Sequence, residues 1–312
     1  MISFLARRIA YAVAVLYAAT SLVFGLIFLA GDPLAGLIPP GATPEQQAVI
    51  RHRFALDRPV VVQYGRFVEH AARGDFGESW RRRQPAMDAV LSQLPATLML
   101  TAAAMALALV IGLPLGIVAG TRPGGWRDAG VTGFALFGQA IPGFWLGTVL
   151  ILIFAVHWQW LPSSGNDSFS SLILPALALA AFPAATIARL LRSSLIDTMN
   201  QDYIRTARGK GLPNKVVILV HAVRNATLPV LAFAGLQISF LLGGAVIIES
   251  VFAYPGVGRL ALQAVNDRDI PVIEAFVVVL ATLIVVTNFV IDAIAVAVDP
   301  RLRSSAPVRS SR

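Results

Sequence analysis

Residues 189–224 read R-L-L-R-S-S-L-I-D-T-M-N-Q-D-Y-I-R-T-A-R-G-K-G-L-P-N-K-V-V-I-L-V-H-A-V-R, with seven basic and two acidic side chains between apolar stretches on either side. Leu195, Met199, Tyr203 and Ala207 recur every four residues and predict the apolar stripe of one amphipathic helix, with Asp197, Gln201, Arg205 and Arg208 on the opposite stripe. Gly209 and Gly211 suit positive φ at a helix end, and Pro213 suits the start of a second helix, where its missing N–H costs nothing. That second helix, Pro213 to about Arg224, carries Val216, Leu219, Val220 and Val223 on one side. Such a loop is suited to a soluble partner. A solvated connector bearing the positive charge of cytoplasmic loops fits periodicity and charge equally well.

Two runs in this stretch, D-Y-I-R-T-A-R-G-K-G-L from Asp202 to Leu212 and H-A-V-R-N-A-T-L-P from His221 to Pro229, tip the balance. They resemble the ATPase-coupling loop of bacterial binding-protein-dependent ABC permeases of the dipeptide/oligopeptide/nickel family. Matched by position, Arg205, Thr206 and Ala207 stand at the Glu-Ala-Ala place of the wider permease signature, and Gly211 at its glycine. Only the second alanine and the glycine match literally, and the proline falls later than in the general signature. Both departures resemble the peptide subfamily. The resemblance implies that Asp202, Tyr203, Arg205, Thr206, Ala207, Arg208, Gly209, Lys210 and Gly211 form the ATPase-coupling site.

Composition agrees with a membrane protein. The 312 residues are 56% hydrophobic and 13% charged, with a mean hydropathy of +0.72, whereas soluble domains run near ~25% charged. The net charge of +8 comes without a basic stripe interleaved with aromatics, so membrane orientation explains it better than nucleic-acid binding. The absence of cysteine excludes disulfides, thiolate catalysis and cysteine metal sites.

A basic pair closes residues 1–8, and about 22 apolar residues follow, Ile9 to Ala30. Their length predicts a retained first span rather than a signal peptide, whose apolar region is only ~7–15 residues. Residues 31–95 form a long polar excursion. Thr43-Pro44-Glu45-Gln46 predicts a capping box, and Asp57 to Ala72 a short helix ended by the turn Arg73-Gly74-Asp75-Phe76-Gly77. A second span is expected from Ala96 to Gly120, kinked near Pro114, and a third from Ala129 to about His157, interrupted at Gln139-Ala140-Ile141-Pro142-Gly143. Trp145, Trp158 and Trp160 read as interfacial anchors. The fourth span is Leu172 to Leu191, the fifth about Ala226 to Ile248 and the sixth Val272 to about Val298. G-D-F-G at 74–77, F-W-L-G at 144–147, W-L-P-S-S-G at 160–165, E-S-V-F-A-Y-P-G-V-G-R-L at 249–260, R-D-I-P at 268–271 and D-P-R-L-R at 299–303 are all similar to the same permease family. Ala295, where the family has an aromatic residue, departs from it.

With both termini inside, the terminal segments and two short inner loops hold fifteen basic residues, and the two short outer loops hold Arg259 and Arg268 only. The 31–95 loop holds eight arginines, but seven acids accompany them and its length weakens the rule. No ionisable residue sits centrally in a span; Glu249 and Asp292 lie toward ends. That disfavours a proton-coupled carrier, which needs a buried titrating relay. Gln139, Gln237 and Asn288 are the polar groups left in the third, fifth and sixth spans, and either line a substrate pathway or hydrogen-bond between helices. No G-x-x-x-x-G-K-[ST] phosphate loop and no H-E-x-x-H occur, and the histidines are scattered, so any energy source lies in another subunit.

The expected fold is an all-α polytopic membrane protein of six transmembrane helices with cytoplasmic termini, a long extracytoplasmic loop after the first helix and a cytoplasmic coupling-helix loop between the fourth and fifth. Its parts are 1–30, the excursion 31–95, the core 96–303 with coupling loop 193–225, and the tail 304–312. The resemblance implies a bacterial inner-membrane permease that imports peptides by alternating access. Its partners would be a second homologous permease, two ATP-binding subunits or one two-domain ATPase, an extracytoplasmic binding protein and the lipid bilayer, with no nucleic acid. ATP and Mg would sit on the ATPases and no cofactor or metal on this chain. The alternatives are a stand-alone channel or secondary carrier, or nickel-chelate import within the family.

Overall fold

The computed structural model describes residues 2–29, 42–53 and 57–298. The D-P-R-L-R run, the tail and the side chains of Asp292 and Ala295 lie outside the described set. Among the described residues all regular elements are helical, apart from one isolated bridge between Glu78 and Pro85. The chain divides into two compact units. One comprises residues 1–97 and 255–289, the other 98–254 and 290–312.

The first unit contains α1 (Ile2–Leu29), α2 (Pro44–Arg53) and α3 (Val60–Ala72). The predicted capping box forms: the Thr43 N–H donates to Gln46 Oε1 at 3.0 Å, and the Gln46 N–H to Thr43 Oγ1 at 3.3 Å. α3 starts at Val60 rather than Asp57, behind Pro59. Tyr64 shares a 2.5 Å hydrogen bond with Ser21, and Phe67 stacks on Phe24 at 5.6 Å, which fixes α3 on α1. The turn that follows uses Gly74 and Gly77 at positive φ, and the Gly77 N–H donates to Asp75 Oδ1 at 3.0 Å. That bond, and His70 after it, hold the Asp75 carboxyl below the usual carboxylate range.

The next helix, α4 (Ala86–Thr121), begins well before the expected Ala96. Ala86, Ala89 and Val90 give it a buried apolar face, packed with Phe76, Leu260 and Val272 in one core. Helix continues through Pro114, so the expected kink does not interrupt it. α11 (Val257–Asp267) and the start of α12 (Ile270–Val298) complete this unit. The Val257 N–H donates to Thr97 Oγ1 at 2.9 Å, a buried cap for α11. Glu274, half-buried in the second turn of α12, is a further acidic residue toward a span end that the hydropathy reading passed over.

The second unit is built around α7 (Ser170–Met199). Its most apolar window is 72% buried, against 28, 33 and 17% for the other long apolar helices. Small residues make this possible: Ala176, Ala180, Ala184 and Ala188 are all buried. Gly112, Gly116 and Gly120 of α4 meet α7 directly, since a Cβ at Gly112 would stand 2.7 Å from the Ala184 carbonyl and one at Gly116 2.8 Å from the Ala188 carbonyl. A Cβ at Gly138 would likewise stand 2.8 Å from Ala185. Backbone-to-backbone approach of this kind is how helices pack tightly where apolar burial gives no advantage over lipid.

The expected third span is two helices, α5 (Trp126–Ala140) and α6 (Gly143–His157), bent by 103° at the break. Pro142 explains the break, because it lacks an N–H and forces Ile141 out of the helical region to φ −81°, ψ 123°. The last part of α6, Ile151–His157, is a π-helix, and Trp158 and Trp160 stack at 4.5 Å beyond it. α8 (Asp202–Gly209), α9 (residues 214–226) and α10 (Leu228–Val251) follow. Among the described residues four helices, α4, α7, α10 and the Ile270–Ile291 part of α12, are long and apolar enough to cross a membrane, and the bent pair counts as a fifth if it is one span.

Candidate functional site

The loop between α7 and α10 is folded otherwise than its four-residue period predicts. Leu195 to Ala207 is not one helix: α7 ends at Met199, Gln201 is extended at φ −75°, ψ 150°, and α8 begins at Asp202. The break re-aims the apolar face. Leu195, Ile204 and Ala207 are buried, whereas Tyr203 is 43% exposed. Asp197, Gln201, Arg205 and Arg208 are all exposed, as expected.

Within α8, Arg205 pairs with Asp202 at 3.3 Å and the Thr206 hydroxyl donates to the Asp202 carbonyl at 3.0 Å. Both charges are well exposed, so the pair contributes little stability. Gly209 ends the helix, Lys210 caps it, and Gly211 turns the chain at φ 74°. Pro213 then precedes α9, whose centre, Val217–Ala222, is a π-helix. The wider turn shifts the register. Val217, Ala222 and Ala226 are buried, while the predicted apolar stripe points outward at Val216, Leu219 and Val220. Asn225 ties the two helices together, donating to the Tyr203 hydroxyl at 3.1 Å and to the His221 carbonyl at 2.9 Å. The outcome is a compact helical pair that presents Arg205, Arg208, Lys210 and Lys215 beside exposed Tyr203, Leu212 and Leu219.

An ion pair absent from the sequence reading fixes the end of α7 that leads into this loop. Arg192 donates through Nε to Asp128 Oδ1 and through Nη2 to Asp128 Oδ2 at 2.7 Å. Asp128 Oδ2 also accepts the Gly124 N–H at 2.8 Å, so one carboxylate organises the α4–α5 turn and clamps it to α7.

The three polar span residues separate. Gln139 Nε2 donates to Thr186 Oγ1 at 3.2 Å, a bridge between α5 and α7. Asn288 lies on α12 in the other unit and is not without a partner. Gln237 on α10 is only 8% exposed and makes no hydrogen bond to any described residue. It lines a cavity of about 360 Å³ walled by the α5–α6 break, by α7 around Pro183 and by α10.

Taken together, apolar helices of spanning length packed through glycine and alanine, with a charged helical pair in the connection between two of them, define a polytopic membrane permease. Residues 112–304 match the binding-protein-dependent transport system inner membrane component family, and residues 1–101 match the N-terminal part of the same membrane component. The chain belongs to that family and is a permease subunit of an ABC importer in the inner membrane. It is 37% identical to the di/tripeptide transport system permease protein DppB of Pseudomonas aeruginosa, over 97% of this chain and 99% of that one. It is 38% identical to the glutathione transport system permease protein GsiC of Salmonella paratyphi A, with the same coverage. In fold it is similar to the MetNI methionine ABC transporter in inward-facing conformations, with a TM-score of 0.58 and 22% identity, covering 67% of this chain and 95% of that one.

Proposed function

We propose that this chain crosses the membrane six times with both termini in the cytoplasm and forms half of a translocation pathway for di- or oligopeptides. Its partners are a second homologous permease, two ATP-binding subunits or one two-domain ATPase, and an extracytoplasmic binding protein. ATP and Mg are held by the ATPases. The names of the relatives support a peptide cargo. So does the lack of fixed charge midway along the apolar helices, which suits a substrate recognised by its backbone.

The observation that carries the coupling role is the exposed face of α8 and α9, with Arg205, Arg208 and Lys210 beside uncovered Tyr203, Leu212 and Leu219. Uncovered apolar side chains next to a cluster of cations suit a surface that a partner covers. A cleft with an apolar floor and acidic rim on the ATPase complements it, and ATP-driven closure of that cleft moves the loop and the spans attached to it. For coupling, the contact must differ in strength between the two ATPase states, since equal affinity for both shifts nothing. Asp202, Thr206, Ala207, Gly209 and Gly211 shape this surface, and Arg205, Arg208 and Lys210 supply its charge.

The test is copurification of the tagged chain from mild detergent, with ATPase assay of the complex, for the natural chain and for Arg205→Glu/Arg208→Glu. The natural chain brings down a second permease and an ATPase, and the double variant loses the ATPase or its coupling to transport. Uptake at the natural level in the double variant would refute the coupling role.

A further inference from the structure

The cavity beside Gln237 has a composition that selects its occupant. Its walls are apolar, with Ile141, Phe144, Leu179, Phe182, Phe240 and Ile248 among the lining residues. Against them stands Gln237, a residue only 8% exposed whose carboxamide has no hydrogen-bond partner among the described residues. An unpaired buried amide is costly, by an amount comparable to a lost hydrogen bond, so a group that recurs in the cavity and satisfies it gains that free energy back. The second polar feature is the start of α6. Its first N–H groups have no carbonyl within the helix, its cap residue Pro142 offers no side-chain oxygen, and Pro142, Gly143 and Phe144 all line the same cavity. Peptide N–H groups at a helix start favour an oxygen bearing negative charge.

We infer that this cavity is a peptide subsite in which the Gln237 carboxamide pairs with the N–H and C=O of one extended substrate residue, whose apolar side chain enters the cavity. In an extended chain the N–H and C=O of one residue point to the same side, as they do in the hydrogen-bonded pairs of antiparallel strands. A carboxamide has a donor and an acceptor side by side and matches them. The start of α6 then receives the second carboxylate oxygen when that residue is C-terminal, or the carbonyl oxygen at the next position of a longer peptide. A carboxylate or ammonium in place of Gln237 would select one charged end, whereas an amide pairs with the backbone of the bound residue whatever charge the rest of the peptide carries. The inference rests on the peptide cargo proposed above. It also explains why Gln237, unlike Gln139, is left unpaired by its own helices.

The experiment is uptake by cells in which a variant replaces the natural chain, with labelled alanyl-phenylalanine and its analogue N-methylated at the peptide bond as probes. Gln237→Met keeps the volume and removes the amide. It is expected to lower alanyl-phenylalanine uptake ~10-fold, the worth of one buried hydrogen bond, while copurification with the ATPase and basal ATP hydrolysis stay unchanged. N-methylation should lower uptake several-fold further in the natural chain than in Gln237→Met, where the acceptor is already gone; losses caused by the binding protein are common to both and cancel. Gly244→Val is the second variant, because a Cβ there meets Leu179 at only 3.5 Å, an ordinary contact. Its methyls narrow the cavity, and it should reduce uptake of alanyl-phenylalanine more than that of dialanine. Equal N-methylation losses in both backgrounds would overturn the subsite. Loss of assembly in Gln237→Met, together with no size discrimination by Gly244→Val, would assign the cavity to the second permease instead. If the natural chain takes up neither peptide, the peptide cargo itself fails, a result distinct from all of these.

Discussion

The Ser79 hydroxyl donates to the Asp269 carboxylate at 2.5 Å, joining segments 190 positions apart in sequence. The same carboxylate accepts the N–H of Trp80 at 3.1 Å and of Arg81 at 3.3 Å, and Ser79 Oγ in turn accepts the Arg82 N–H at 2.9 Å. A single acid, 3% exposed, therefore shapes the whole turn that carries Arg81, Arg82 and Arg83.

Removing that acid should free the turn. Asp269→Ala leaves a hydroxyl and two backbone N–H groups without their acceptor, at a cost of about 3 kcal/mol. Thermal unfolding in detergent measures the loss, and trypsin should cut at Arg81–Arg83 sooner than in the natural chain. Cleavage at an unchanged rate would show that the turn is held by other contacts.

The Asp128–Arg192 clamp should be sensitive to geometry as well as charge. Arg192→Lys keeps the charge but lacks the planar fork that donates from two nitrogens to the two carboxylate oxygens, and is expected to cost about 1 kcal/mol. Asp128→Ala leaves a cation only 30% exposed without its partner and releases the Gly124 turn, for about 3 kcal/mol. Both should lower substrate-stimulated ATP hydrolysis in the assembled complex. Natural stability in Arg192→Lys would show that a single hydrogen bond suffices.

Glycines on α4 and α10 should respond in opposite directions. Gly116→Ala drives a methyl toward the Ala188 carbonyl, 2.8 Å away, and should destabilise the α4–α7 contact by about 1–3 kcal/mol. Gly243→Ala meets nothing within 4 Å and should gain roughly 0.5–1 kcal/mol from helix propensity. Melting temperatures of the two purified variants decide the matter, and a tolerated Gly116→Ala would mean that the helices are not in backbone contact.

Tyr254 offers a test by subtraction. It is fully buried, its hydroxyl has no partner among the described residues, and burial, followed by the nearby Glu249 charge, pushes its phenol up, so it stays neutral. Tyr254→Phe removes an unsatisfied oxygen and should leave stability unchanged or raise it by up to about 1 kcal/mol. A clear loss in melting temperature would reveal a partner for the hydroxyl in the assembled protein.

Hydropathy made the long helices legible, and local chemistry made the Thr43–Gln46 capping box and the Pro142 break legible, because each depends on residues within a few positions. The division of 195–207 into two helices was hidden, since Leu195, Met199, Tyr203 and Ala207 keep an unbroken four-residue period across Met199. The π-turn at Val217–Ala222 was hidden for a related reason: it adds residues to the turn without altering composition, and so reverses which valines and leucines face outward. Ser79 and Asp269, like Asp128 and Arg192, could not be paired from sequence because their partners are set by packing. The Gly112, Gly116, Gly120 spacing did carry a readable signal for close helix approach. The candidate site was legible as residue types and loop, while its exposed face and the separate fates of Gln139, Gln237 and Asn288 needed coordinates.

The continuity of α7 has a mechanical consequence. Pro183 stands in the cavity wall and Met199 at the entrance to the charged loop, about 24 Å apart along one uninterrupted helix. Such a rod is a lever: each degree of tilt imposed at one end displaces the other by about 0.4 Å. The glycine rungs of α4 offer no side chain of their own that could absorb the motion as rotamer change, and Ile187, Leu191 and Leu195 of α7 pack directly on them. The Arg192 clamp ties the loop-facing end of α7 to the α4–α5 turn. Under the coupling role proposed above, a push on the loop would reach the cavity as a change of its width.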